Sequence, residues 1–165
     1  MHNKRPTFYT ESGQPIRAAG ILCYVVHKNN EKDKKFWLFR NQNNMYSDTG
    51  GKTDKEDQTI IETAIRETVE ETNGHLFSYK HNFETCRNIL LKEFEKQKPK
   101  PIYLENCKYI LFPLRLMYKN RFLSLKRFGK KELHDNLIHS YKWLNYIPNN
   151  IHPRLFKARE TLNYM

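Results

Sequence analysis

The stretch that most limits what this chain can fold into runs from Gly50 to Gly74, GGKTDKEDQTIIETAIRETVEETNG. A glycine pair and a short charged loop lead into one amphipathic helix. Thr59 and Glu62 have the T-x-x-E spacing of a capping box and predict the helix start. Asn73-Gly74 predicts its end. At about 100° per residue, Ile61, Ile65, Thr68, Val69 and Thr72 gather on one side of the wheel. Glu67, Glu70 and Glu71 gather on the other, at i, i+3 and i+4. The first side needs a sheet to pack on, and the acidic side is expected to look away from it.

Strand material stands on both sides of this helix. Ala18–His27, AAGILCYVVH, is short, continuous and rich in β-branched and aromatic residues, as for a strand buried on both faces. The polar run Lys28–Lys35 separates it from Phe36–Arg40, FWLFR, so the two predict a hairpin with a long polar tip. Phe83, Cys86, Leu90 and Phe94 are spaced for one face of a second helix at about 82–97. Ile102–Tyr118 reads as further strand, with Pro113 marking an edge, a bulge or a strand end. Lys119–Lys131 is basic with interleaved aromatics and reads as a solvated hairpin. Glu132–His139 reads as a short helix or loop. Tyr141–Leu144 is a last short strand, Pro148–Pro153 a loop and Arg154–Tyr164 a closing helix. Strands and helices mix without a regular βαβ repeat, which gives α+β or α/β with a mixed sheet. No internal repeat or linker divides the 165 residues, so one domain spans 1–165, with residues 1–15 a loose or edge-hugging N-terminal arm.

Charge and cysteine usage narrow the setting. The net charge is +11 and the pI is near 9.6, a balance that favours polyanions such as nucleic acid, nucleotides or anionic lipid. Cys23, Cys86 and Cys107 form no metal-ligand or C-x-x-C spacing. Cys23 and Cys107 lie in apolar runs, so buried free thiols and a reducing, intracellular, cytoplasmic home are expected. The first residues lack an apolar signal-peptide core. No apolar run approaches the ~20 residues of a membrane span. The abundance of Ile, Asn, Lys and Tyr suits an AT-rich genome, such as that of a large DNA virus.

Three carboxylates on one helix face repel each other unless solvent screens them or cations neutralise them. Spacing alone also suits a plain solvated face. Hard oxygen donors select Mg²⁺, Mn²⁺ or Ca²⁺, and Mg²⁺ is usually shared with substrate phosphates. Beside a glycine turn such a face suits metal-assisted hydrolysis at phosphorus. Gly50 and Gly51 can adopt backbone angles that point a carbonyl at the metal.

The stretch resembles the Nudix box, G-x5-E-x7-R-E-U-x-E-E-x-G-U with U apolar. Its dense half reads Arg66-Glu67-Thr68-Val69-Glu70-Glu71-Thr72-Asn73-Gly74 here, after Gly50-Gly51-Lys52. The resemblance implies an α/β/α sandwich, with a mixed sheet flanked by the box helix and a C-terminal helix. It implies a Mg²⁺- or Mn²⁺-dependent hydrolase that cleaves a diphosphate linkage in a nucleoside diphosphate derivative. Glu70 and Glu71 would be the principal metal ligands and Glu67 a further ligand or the base. Gly51 would offer its carbonyl to the metal, and Gly50 and Arg66 would be structural. Lys52 and Arg40 are the candidate substrate-binding cations. Glu132 is a candidate auxiliary metal ligand, and His134 and Asp135 lie in the same region. Arg17-Ala18-Ala19-Gly20 before the first strand and Trp143-Leu144 in a late one fit the same pattern.

The sequence departs from the box in its loop. From Gly51 to Arg66 is one residue too long, so the loop glutamate has no exact counterpart. Counting from Gly51 lands on Asp57 and counting back from Arg66 lands on Gln58, while Glu56 is one step away. Arg66's partner therefore stays open among these, with Asp57 carried as the motif's structural acid. Thr68 replaces a leucine-like residue, and Asn73 takes the place of the glycine. Substrates of the family include nucleoside triphosphates, dinucleoside polyphosphates, nucleotide sugars, ADP-ribose, diphosphoinositol phosphates and capped RNA. Phe8, Tyr9, Phe36, Trp37 or Tyr46 could stack a base. The basic strip of Lys119, Arg121, Lys126, Arg127, Lys130 and Lys131, with Phe122 and Phe128, could track RNA. An RNA-directed protein, decapping or merely binding, is the alternative.

Overall fold

The computed structural model describes residues 4–29, 32–130 and 138–165. Its centre is the strand Ala18–His27 (β3), which has an N-terminal hairpin before it, Phe8–Tyr9 (β1) with Pro15–Ile16 (β2). After it come Lys34–Gln42 (β4), Met45–Ser47 (β5), Thr49–Lys52 (β6), the helices Ile60–Glu71 (α1) and Phe83–Gln97 (α2), and Ile102–Leu104 (β7). Tyr109–Arg115 (β8), Ser140–Leu144 (β9) and the short helix Arg159–Asn163 (α3) complete the order, with 3₁₀ turns between them.

β3 pairs in parallel with β8 along one side. Its other side is divided: Ala18–Ile21 pair with β6, and Tyr24–His27 pair with β4. β4 parts from β3 after Trp37 and takes β5 on its inner side and β9 on its outer side. The connected strands β5 and β6 thus fill a fork in the sheet, and Asp48 sits between them, fully buried. β7 closes the far edge on β8. Pro113 lies past Leu111, the last residue paired with β7, so its missing N–H falls on a stretch paired only with β3.

Alternation along β3 builds two cores, because successive side chains point to opposite faces. Ala19, Ile21, Cys23 and Val25 join Ala64, Ile65 and Val69 of α1 and Leu90 and Phe94 of α2. Phe94 meets Phe112 of β8 edge to face at 5.2 Å. On the opposite face Leu22, Phe39 and Leu111 meet Leu155, Ala158 and Leu162 from the C-terminal turn and α3. The result is a mixed α+β domain with a mixed sheet between helical layers. Among the described residues no helix is long and apolar enough to cross a membrane.

The helix ends follow the sequence signals. Thr59 caps α1 by accepting from the Glu62 N–H at 3.2 Å, and the Glu62 carboxylate reaches back to the Gln58 N–H at 2.6 Å. Thr59→Ala should lower stability by about 1 kcal/mol, read as a shift in the urea midpoint; an unchanged midpoint would show that the cap contributes nothing. At the other end Asn73 has φ +53°, the Gly74 N–H bonds the Val69 carbonyl at 2.8 Å and the Asn73 N–H bonds that of Glu70 at 3.2 Å. This is a Schellman ending with Asn in the left-handed position that usually takes glycine.

Four sequence expectations change or narrow. The N-terminal arm is not loose: it folds back as β1–β2, Thr53 donates its hydroxyl to the Pro6 carbonyl at 2.8 Å, and Arg17 bonds the Arg5 carbonyl and Thr7. Lys119–Lys130 is not a hairpin but two 3₁₀ turns, Tyr118–Phe122 and Leu125–Phe128. Cys107 is exposed, because Glu105–Cys107 is a 3₁₀ turn that leaves the sheet before β8 begins. Cys23 and Cys86 are buried free thiols, and burial pushes Cys86 up to about 11. The closing helix is also mostly a 3₁₀ turn, Pro153–Ala158, with only Arg159–Asn163 α-helical.

Candidate functional site

The loop between β6 and α1 is held by one carboxylate. Asp57 accepts from the Asp54 N–H and the Thr63 hydroxyl, both at 2.8 Å. It also takes a forked pair from Arg66, Nε at 3.0 Å and Nη2 at 3.1 Å. The Arg66 guanidinium donates to the Lys52 carbonyl at 2.8 Å as well, so it ties the loop at both ends. Of the three acids or amides left open by the sequence, Asp57 is the partner. The loop also holds a tight turn in which the Asp57 N–H bonds the Asp54 carbonyl.

Burial alone would push the Asp57 carboxyl up, but the Arg66 hydrogen bonds, the Asp54 and Thr63 donors and the Arg66 charge together hold it below the usual range. A depressed carboxylate stabilises the fold in full above its unfolded value, about 3.9, and loses that contribution as the pH falls through the folded value. Urea unfolding as a function of pH should therefore show part of the stability lost below about pH 4, and Asp57→Asn should remove that part of the slope. An identical acid limb in the variant would contradict the assignment.

The three glutamates do not all look away from the sheet. Glu71 is buried, with a carboxylate oxygen accepting the Gly50 N–H at 3.1 Å and the other facing Arg40 Nη1 at 3.4 Å. Glu67 and Glu70 are partly exposed, and both face Arg66 Nη1, at 3.0 and 3.5 Å. Glu71 turns inward to these two partners, and the glycine pair leaves room for the neighbouring Glu67 and for Tyr109. A Cβ on Gly51 would sit 2.5 Å from the Glu67 carboxyl carbon, and one on Gly50 would strike the Tyr109 hydroxyl. Bare backbone at β6 lets the acidic edge of α1 close on it. Thr68, where the box has an apolar residue, meets Thr49 hydroxyl to hydroxyl at 2.7 Å across the same contact.

The donor set is carboxylate oxygen, which matches Mg²⁺ or Mn²⁺. Among the described residues no group of three or more His, Cys, Asp or Glu side chains is placed to hold a metal ion. The cations Arg66 and Arg40 occupy the inner edges of the carboxylates instead. Mg²⁺ needs only one or two carboxylates when substrate phosphates and water complete its shell, so Glu67, Glu70 and Glu71 fit the ion in donor chemistry.

Lys52 is exposed at the end of β6, beside the acidic row. Arg40 is buried rather than presented to solvent. Its Nε donates to His139 Nδ1 at 2.8 Å and its Nη1 to Gln42 at 3.2 Å. Glu132, His134 and Asp135 lie outside the described residues. Of the proposed base-stacking residues, Trp37 is buried and Phe36 lies under Arg121, while Tyr9 is exposed. A cleft of ≈ 460 Å³ runs along the box, lined among others by Asp57, Arg66, Glu70, Phe83 and Arg87.

Sequence reading missed two sets of supporting residues. His139, just before β9, and Tyr141 within it back the end of the box: His139 accepts from Arg40, and the Tyr141 hydroxyl donates to the Glu71 carbonyl at 2.7 Å. Beneath the fork, Asp48 accepts from Arg154 Nη2 at 2.8 Å, Ser47 at 2.9 Å and the Tyr109 hydroxyl. Burial raises the Tyr109 hydroxyl well above its usual range, and the Asp48 charge adds to this against the opposing pull of Arg154. The tyrosine oxygen fills the space over Gly20 and Gly50, where any Cβ would collide with it. The one local signal for this cluster is a lone acid placed before the glycine pair, and its partners come from far along the chain. No protein-family model and no curated protein matches this chain.

Proposed function

We propose that this protein is a Nudix-like hydrolase, dependent on Mg²⁺ or Mn²⁺, that cleaves a diphosphate linkage in a nucleoside diphosphate derivative. The observation that carries the reading is the Arg66 clamp. One guanidinium bonds Asp57, the Lys52 carbonyl and the glutamate edge of α1, which is the structural part the box resemblance assigns to it. The layered mixed α+β architecture is compatible with the sandwich that this resemblance implies.

When bound, the metal would supply Lewis-acid polarisation of a phosphoryl oxygen and a more acidic water. Glu70 and Glu71 would hold it, with the Gly51 carbonyl beside them. Glu67, partly exposed beside Arg66, would take a proton from the attacking water as the new P–O bond forms and the bridging P–O bond breaks. Arg66 keeps helix and loop at fixed separation, and Lys52 offers an exposed cation to the substrate phosphates. A panel of nucleoside triphosphates, dinucleoside polyphosphates, nucleotide sugars, ADP-ribose, diphosphoinositol phosphates and capped RNA, assayed with Mg²⁺ and with Mn²⁺, tests the reading. Turnover of at least one class, abolished by chelation, is expected. No turnover of any class, together with no metal-induced rise in melting temperature, would sink it.

A further inference from the structure

Between Arg115 and Lys130 the chain carries Arg115, Lys119, Arg121, Lys126, Arg127 and Lys130 and no Asp or Glu. Among the described residues none of these six forms an ion pair with a carboxylate. A row of uncompensated cations is a binding surface for a polyanion. Its two 3₁₀ turns are pinned by buried Asn120 and Phe128 and leave Lys119, Lys126, Arg127 and Lys130 exposed.

Aromatic rings are interleaved with these charges. The Arg121 guanidinium lies 3.9 Å from the Phe36 ring centroid and that of Arg127 3.6 Å from Tyr79. A guanidinium stacked on a ring is held flat with its N–H edge available to phosphate. Phe122 is 71% exposed and Tyr79 49%, so both rings are open to a stacking partner among these cations. Next to the first turn is a cleft of ≈ 460 Å³, whose walls include Tyr24, Phe77, Met117 and Tyr118, with Lys96 and Arg115 at its side.

We propose that this surface binds single-stranded nucleic acid, with phosphates on the cations and unpaired bases on Phe122 and in the cleft. A duplex hides its base faces, and these short turns offer no long helix for a groove, so a single strand fits better than a double one. The strip is fixed to the end of α1: His75 Nδ1–H donates to the Arg127 carbonyl at 2.6 Å, and the Asn73 side chain donates to that of Phe128. A strand lying on the strip would therefore approach the helix that carries Glu70 and Glu71. The binding claim does not depend on the hydrolase reading.

Fluorescence anisotropy with labelled oligouridylate and oligothymidylate, in EDTA to exclude turnover, tests the proposal over a series of salt concentrations. Affinity should fall as salt rises. Lys119→Glu/Lys126→Glu/Arg127→Glu should weaken binding more than tenfold and flatten the log–log salt slope by roughly 0.7 for each lost phosphate contact. Phe122→Ala should weaken binding about tenfold with little change in that slope. Circular dichroism checks that both variants fold. Absence of binding, binding indifferent to both variants, or tighter binding to duplex or to phosphatidylserine vesicles would overturn the proposal. Binding without any hydrolysis would leave it standing while the hydrolase reading fails.

Discussion

Metal-dependent hydrolysis is expected to fall on the order of 10²-fold or more in Glu71→Gln, because a ligand that helps a metal stabilise developing charge is worth that much in the transition state. Glu71 gives the sharper test of the three glutamates because it is buried and has defined partners. Gln is isosteric, and its amide oxygen can still accept the Gly50 N–H that Glu71 holds at 3.1 Å. What the substitution removes is the negative charge that now faces Arg40. Glu70→Gln should give a loss of the same order at a more exposed position, with less effect on stability. Bound Mg²⁺ should raise the melting temperature of the unaltered protein and do so less in Glu71→Gln, by mass action on the folded state. Full activity in both variants would show that the ligands have been assigned to the wrong residues.

Arg154→Met should lower stability by about 3–5 kcal/mol, the usual cost of leaving a buried charge without its partner. Asp48 has no solvent exposure, and Arg154 supplies two of its hydrogen bonds, from Nη2 at 2.8 Å and Nε at 3.2 Å. Without the guanidinium, Ser47 and the Tyr109 hydroxyl remain against that carboxylate among the described residues. Adding Asp48→Asn should recover part of the loss, since a neutral amide demands no cation. Urea unfolding of the single and double variants measures both effects. A loss below about 1 kcal/mol in Arg154→Met would mean that water or another group satisfies Asp48. The same variant should loosen Tyr109 over Gly50, so metal-dependent activity should fall with stability rather than independently of it.

The local signals were read well where they are local. Ala18–His27 has the same bounds in the structure, and the start and end of α1 follow Thr59 and Asn73-Gly74. The second helix lies at Phe83–Gln97, as its apolar spacing required. What could not be read depends on contacts between distant parts of the chain. The direction in which Glu71 points goes with the Gly50 N–H and Arg40 across from it, not with the helix wheel. Arg66's choice of Asp57 depends on the Asp54–Asp57 turn and on Thr63, which together aim that carboxylate at α1. Arg40 reads in FWLFR as a substrate-binding cation, yet its guanidinium is buried against His139, Gln42 and Glu71. Asp48 and Arg154 stand too far apart in sequence for any pattern to link them.

The place of β3 also decides when this protein can become stable during synthesis. Its neighbours β4 and β6 follow soon after it, but its parallel partner β8 and the Arg154 that neutralises Asp48 come far later. Closing such long loops is slow because their entropy is lost before the contacts reward it. A nascent chain that ends before Tyr109 presents one bare side of its most apolar strand. For that interval the ribosome and chaperones, rather than the fold, have to keep it from pairing with another chain.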